Sequence, residues 1–161
     1  MRGLIALAFF ASSAALAQSS NFLPGVDFAK YHTYQWVTTR PHPDSDVDAK
    51  IKQSVDSQLA AKGLSRMETK ADLTIDYRVA IDQHEAWSDF RINEIDTLNR
   101  KPITVNAGTL AVDITDPTLK QIVWSGRVSK AIDLKSSGQT KLKNLDKSVQ
   151  SLMRFFPPKQ R

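Results

Sequence analysis

Residues 72–82 read DLTIDYRVAID, and this stretch decides the fold. Leu73, Ile75, Tyr77, Val79 and Ile81 alternate without a break against Asp72, Thr74, Asp76, Arg78 and Asp82. An extended chain turns successive side chains to opposite faces, so the pattern predicts a strand with one apolar and one polar side. Such a strand belongs to a sheet that is covered on one face and open on the other.

Upstream of it, Asp44, Ser45, Asp46 and Asp48 precede Val47, Ile51, Val55 and Leu59, which recur every four residues along one helical face. Gly63 stands where a helix C-cap glycine belongs, and together these signals predict a helix over 45–62. Earlier still, Thr33 to Thr38 is dense in β-branched and aromatic residues and is stopped by Pro41 and Pro43, which predicts a first strand.

Downstream, Ile103, Val105 and Ala107 alternate, and Leu110, Val112 and Ile114 alternate in the opposite phase. The slip falls at Gly108, which predicts a β-bulge or kink there. Asp116-Pro117 makes a turn, and Ile122, Trp124 and Val128 carry the returning strand. After a polar break at Ser136-Ser137-Gly138, the residues Leu142, Leu145, Val149, Leu152, Met153 and Phe156 form a helical stripe. Lys141, Lys143 and Lys147 fall mostly off that stripe, and Pro157-Pro158 ends the helix. The order β-α-β-β-β-α predicts a two-layer α+β fold, a mostly antiparallel sheet of about four strands with two helices packed on one face. A parallel pairing of the first strand would make the first helix a right-handed crossover. Residues 83–102 fit neither period, and read either as a short amphipathic helix or as the ends of a long hairpin.

The chain begins with Arg2, an apolar run from Leu4 to Phe10, and the small-x-small site Ala15-Leu16-Ala17. This is the pattern of a cleaved signal peptide over 1–17, with the mature protein starting at Gln18. The apolar run is too short to span a bilayer, so a periplasmic or secreted protein with no transmembrane segment after cleavage is expected. Residues 18–30, rich in Ser, Asn, Pro and Gly, read as an irregular N-terminal segment, 31–158 as a single domain and 159–161 as a tail. The chain has no cysteine, which excludes disulfides, thiolate metal sites, cysteine nucleophiles and a lipid-modified N-terminal cysteine.

Charge is unevenly distributed. Gln18 to Gly126 carries 12 basic and 15 acidic residues, whereas Arg127 to Arg161 carries nine basic and two acidic, a balance of +7. A positive end attracts anionic lipid, lipopolysaccharide phosphate or an acidic partner, and export makes nucleic acid no partner.

Tyr31, Thr33, Tyr34 and Trp36 in DFAKYHTYQWV, the helix ending LAAKGL, the strand ADLTIDYRV, the block GTLAVDITDPTLKQIVWSGRV and the closing FFPPK together resemble the bacterial envelope domain of unknown function four-one-three-six. The resemblance spans roughly residues 27–158. It implies an exported α+β domain, typically a lipoprotein, with no catalytic residues to carry over; the lipid-attachment cysteine of the usual pattern is missing. Physically, Tyr34, Trp36 and Trp124 suit the border of a sheet-and-helix core, with an apolar body and a polar tip. Gly108 and Gly126 permit a bulge or a close backbone approach.

No motif makes a catalytic constellation. His32, His42 and His84 form no ligand-spaced pair, so no metal site is expected. Asp44-Ser45-Asp46-Val47-Asp48 imitates the start of a calcium loop, but Ala49 and Val55 stand where glycine and glutamate are required, and helix capping accounts for the carboxylates. No nucleophile elbow and no glycine-rich phosphate loop is present, and no cofactor is expected. The reading is therefore an exported periplasmic binding or accessory protein of the bacterial envelope, whose partner is an envelope component, a small molecule or a protein. One candidate ligand surface is His84, Trp87, Phe90 and Arg91; another, facing anionic lipid or lipopolysaccharide, is Lys141, Lys143 and Lys147. The alternative is an envelope-polymer hydrolase, which needs two or more of His32, His84, Asp72, Asp76 and Asp113 to converge.

Overall fold

The computed structural model describes residues 17–89, 100–133 and 135–157, with the backbone alone at 17, 84–89 and 100–103. In chain order the elements are β1 (Ala17–Phe22), a 3-10 turn (Phe28–Lys30), β2 (Thr33–Trp36), α1 (Ser45–Ala60), β3 (Ser65–Arg66), β4 (Leu73–Asp89), β5 (Arg100–Asp116), β6 (Gln121–Ile132) and α2 (Gly138–Met153). The fold is α+β, with two helices and one six-stranded mixed sheet of order β1-β6-β5-β4-β2-β3.

The expectation of about four mostly antiparallel strands is therefore corrected. β1, β6, β5 and β4 pair antiparallel in turn, while β2 runs parallel to both β4 and β3. Both extra strands sit where propensity is silent. β1 comes from the Ser- and Asn-rich stretch read as irregular, and is held by its ladder to β6 and by Gln18, whose amide donates to the Ser151 carbonyl of α2 (2.7 Å) and accepts from the Ser151 hydroxyl (3.0 Å). β3 is two exposed residues beside β2. The parallel β2–β4 pair makes α1 a crossover element.

α1 starts where its capping residue places it. Asp44 accepts from the Asp46 N–H (2.9 Å) and the Val47 N–H (3.3 Å), satisfying donors that the first turn leaves without partners. Past its other end, Gly63 takes φ +86°, a conformation that glycine adopts without a Cβ penalty. Its buried side presents Ile51, Val55 and Leu59 to the sheet, and α2 presents Val149, Leu152 and Met153. They meet Leu73, Ile75, Tyr77, Val112, Ile114 and Trp124 from the strands, all within 1% of complete burial. Removing each such side chain from water stabilises the fold by about 1.5–3 kcal/mol, so the core sits between the helices and the middle of the sheet. The helices are tied together at Asp146, which accepts from Ser54 and pairs with Lys50 (3.4 Å).

β4 and β5 form a long hairpin whose register runs unbroken from Thr74↔Thr115 to Asp89↔Arg100. Of the two readings for 83–102, the described residues take hairpin ends. No bulge occurs at Gly108, which pairs in register with Ile81 on one side and Lys130 on the other. The shift lies instead between Ile114 and Thr115, which face Trp124 and Ile122 and leave Val123 as the extra residue. The phase slip has another cause. Leu110, Val112 and Ile114 lie under the helices, whereas Val105 and Ala107, at odd positions of the same strand, stand on the opposite face of the sheet and are half-buried. The glycine is needed for a side chain: a Cβ on Gly108 would stand 2.2 Å from Ile132 Cδ1.

Candidate functional site

β4 positions two of the candidate ligand residues, His84 and Trp87, by backbone alone; Phe90 and Arg91 lie outside the described residues. α2 carries the second candidate set. Lys143 and Lys147 are exposed and Lys141 is half-buried, on the helix whose other side packs Val149 and Leu152 into the core.

The three aspartates that a hydrolase would draw on each hold structural partners. Asp72 accepts from the backbone N–H groups of His32 and Thr33 (both 2.9 Å), and those bonds hold its carboxyl below the usual range. Asp76 accepts from the Thr39 hydroxyl (2.7 Å), and Asp113 accepts from Arg78 (2.6 Å) and Ser125 (2.7 Å). Asp76 and Asp113 stand opposite each other on the uncovered face of the sheet. Among the described residues no histidine ring bonds to any of these carboxylates, and no group of three or more His, Asp or Glu residues is placed to hold a metal ion.

A third place escaped sequence reasoning. The 3-10 turn, the end of α1 and the segment after α2 enclose a cleft of about 480 Å³ lined by Phe28, Tyr31, His32, Lys62, Leu64 and Phe156 among others. Phe28 meets Phe156 edge to face with centroids 5.8 Å apart, and Phe156 meets Trp124 at 5.5 Å, so the cleft floor is continuous with the core. Tyr31 of the cleft also reaches Asp116, which is 2% exposed. Its carboxylate accepts from Tyr31 (2.8 Å), from Lys30 (3.4 Å) and from the N–H groups of Thr118 (2.8 Å) and Leu119 (3.0 Å). Burial disfavours its charge, but these donors outweigh burial and set its pKa below the ordinary carboxylate value. The signal available in the sequence was Asp116-Pro117 itself, read only as a turn.

Two further carboxylates hold aromatic side chains against α1. Asp56 accepts from the Tyr34 hydroxyl (2.7 Å), Trp36 Nε1 (2.8 Å) and Arg66 (3.1 Å), so the polar tips of that motif meet a shared acceptor. Asp48 accepts from Tyr77, which in turn accepts from the His42 N–H (2.8 Å). Burial and the neighbouring Asp48 push the Tyr77 phenol up to about 12. Trp124 differs from the expectation of a border residue: it is fully buried and its Nε1 has no partner. The chemistry these clusters perform is attachment of strands to helices.

A family profile described as "Domain of unknown function (DUF4136)" matches residues 18–158. No curated protein matches the sequence. Among solved structures, a PDZ domain protein from Parabacteroides distasonis superposes with a TM-score of 0.64 at 14% identity, over 89% of this chain and 36% of that one. The chain thus spans about a third of that protein's length. PelC from Paraburkholderia phytofirmans, solved as a dodecamer, aligns with a TM-score of 0.48 at 11% identity, covering 86% of this chain and 92% of its own. A lipoprotein from Neisseria meningitidis aligns with a TM-score of 0.43 at 12% identity, covering 74% of this chain and 96% of its own. Among the described residues no helix is long and apolar enough to cross a membrane.

Proposed function

The chain belongs to the DUF4136 family, and from that premise we propose that it is an exported, periplasmic accessory protein of the bacterial envelope that acts by binding. The observation that carries this reading is the division of labour among polar side chains. Buried and half-buried carboxylates are spent on structural donors, whereas Lys143 and Lys147 stand exposed on α2 and Arg154 stands exposed just past its end. A cationic, water-facing helix side attracts the phosphates of anionic lipid or lipopolysaccharide, at about 1 kcal/mol per basic residue near a charged surface.

Co-sedimentation with vesicles tests it. The protein should bind phosphatidylglycerol vesicles at low ionic strength, release as salt rises, and ignore phosphatidylcholine vesicles. Lys143→Glu with Lys147→Glu should abolish binding while the unfolding midpoint stays within experimental error. Equal binding to neutral and anionic vesicles would sink the idea. For the surface around His84, Trp87, Phe90 and Arg91, the double variant Trp87→Ala, Phe90→Ala should fold and lose a bound small molecule in native mass spectrometry; loss of folding would assign those rings to structure.

A further inference from the structure

The cleft beside the 3-10 turn has an apolar floor and a cationic lip. Its volume of about 480 Å³ falls in the range of small-molecule sites. Phe28, Tyr31, Leu64 and Phe156, which line it, are all nine-tenths buried or more. Phe28 stands edge to face with Tyr31 at 6.1 Å and with Phe156 at 5.8 Å. Rings interlocked in this way lose little rotamer freedom when a ligand settles on them. The Tyr31 hydroxyl is already committed to Asp116.

Two ionisable side chains remain on the rim, Lys62 and His32. Gly63, at φ +86°, turns the chain so that Lys62 stands half-buried at the lip and Leu64 enters the floor. A Cβ built on Gly63 would meet nothing within 4 Å, so this side of the cleft is open. Lys30, Lys50 and Lys52 each hold a carboxylate, whereas among the described residues Lys62 holds none. The nearby carboxylates are occupied: Asp116 holds Tyr31 and Lys30, and Asp72 holds the N–H groups of His32 and Thr33. The last carbonyls of α1 are occupied as well, since Ser57, Leu59 and Ala60 accept from the N–H groups of residues 61–64. The Lys62 ammonium is therefore free to meet an anion in the mouth.

We propose that this cleft binds a single-chain anionic amphiphile, its hydrocarbon chain against Phe28, Leu64 and Phe156 and its carboxylate or phosphate on Lys62. An apolar floor by itself accepts any hydrocarbon; the lysine selects the charge. A hydrogen bond to an ionised group is about twice as strong as one between neutral groups. His32, exposed on the same rim, offers a ring N–H as a second donor. The site shares no residue with the α2 lysines, so it does not depend on vesicle binding.

Decanoate, decyl phosphate and uncharged decyl maltoside are the probes, each titrated into the isotope-labelled full chain below its micelle-forming concentration and followed by amide NMR. Both anions should give saturable shifts at Lys62, Gly63 and Leu64, and the tighter one identifies the head group. Lys62→Glu should raise the Kd of both anions by roughly tenfold or more, the loss of one charged contact. Ala29→Trp, which adds a ring at the exposed wall of the cleft, should block binding and keep the unfolding midpoint. Lys143→Glu with Lys147→Glu should leave the decanoate Kd unchanged, which separates a failure here from a failure of vesicle binding. Decyl maltoside binding as tightly as the anions overturns the proposal, as does an unchanged Kd in Lys62→Glu or the lack of a saturable decanoate shift at 62–64. If Ala29→Trp loses its fold, the Lys62→Glu titration decides alone.

Discussion

The Tyr31 hydroxyl donates to Oδ2 of Asp116 at 2.8 Å, joining the 3-10 turn to the β5–β6 corner across 85 residues of chain. Asp116 is where the 3-10 turn and the β5–β6 turn are bonded to each other.

Asp116→Ala leaves the Tyr31 hydroxyl and the Thr118 and Leu119 N–H groups without their acceptor, and should cost about 2–3 kcal/mol in urea unfolding. Its pKa is depressed in the folded state, so its contribution is present above the unfolded carboxylate value and is lost as pH falls through the folded one. Asp48, Asp72 and Asp146 shift the same way. Wild-type stability should therefore drop below about pH 4, and less steeply in Asp116→Asn. Identical pH slopes for the two proteins would contradict the assignment.

All three tyrosines of the chain, Tyr31, Tyr34 and Tyr77, have pKa values raised above that of a free phenol, in each case first by burial and then by an aspartate neighbour. Ultraviolet titration should show less phenolate at about pH 10 in the folded protein than after unfolding in guanidinium, where half-ionisation falls at about that pH. Raised phenol values favour the folded state below the unfolded pKa, and that advantage disappears as pH climbs through the folded values. A native transition centred near the free-phenol value would refute the burial of these rings.

Gly126 and Gly138 predict opposite results for one substitution. A Cβ on Gly126 would lie 2.3 Å from the Trp124 ring and 2.7 Å from Leu152 Cδ1, so Gly126→Ala overpacks the core and should cost about 1–3 kcal/mol. Gly138 opens α2 with nothing within 4 Å, and Gly138→Ala should stabilise by about 0.4–1 kcal/mol. Thermal unfolding of the two variants side by side checks both signs.

Asp56→Ala removes the shared acceptor of Tyr34, Trp36 and Arg66. Leaving a buried phenol and a half-buried indole unbonded should cost about 1–3 kcal/mol. Trp36 fluorescence should shift as its hydrogen bond is lost; an unchanged spectrum with unchanged stability would count against the network.

Periodicity made both helices and the core side of β4, β5 and β6 legible, because burial against a second layer forces apolar residues onto one face at a fixed spacing. The caps were equally legible: Asp44 and Gly63 act on backbone groups a few residues away, so neighbours in sequence suffice to identify them. The same local logic misplaced the bulge. Alternation changes phase at Gly108 because the strand passes beyond the helices, and no local window of sequence contains the position of helices that end at Ala60 and begin at Gly138.

What the sequence determined by itself was the pattern of local elements, the α+β class and the family resemblance. Only the tertiary structure decided that Ala17–Phe22 and Ser65–Arg66 join the sheet, that β2 runs parallel to β4, and that Asp48, Asp56 and Asp116 serve aromatic side chains from distant elements. The division has a physical reason. Apolar burial is written residue by residue into the chain, whereas a hydrogen bond such as Tyr31 to Asp116 requires two groups that only the completed fold brings within 3 Å.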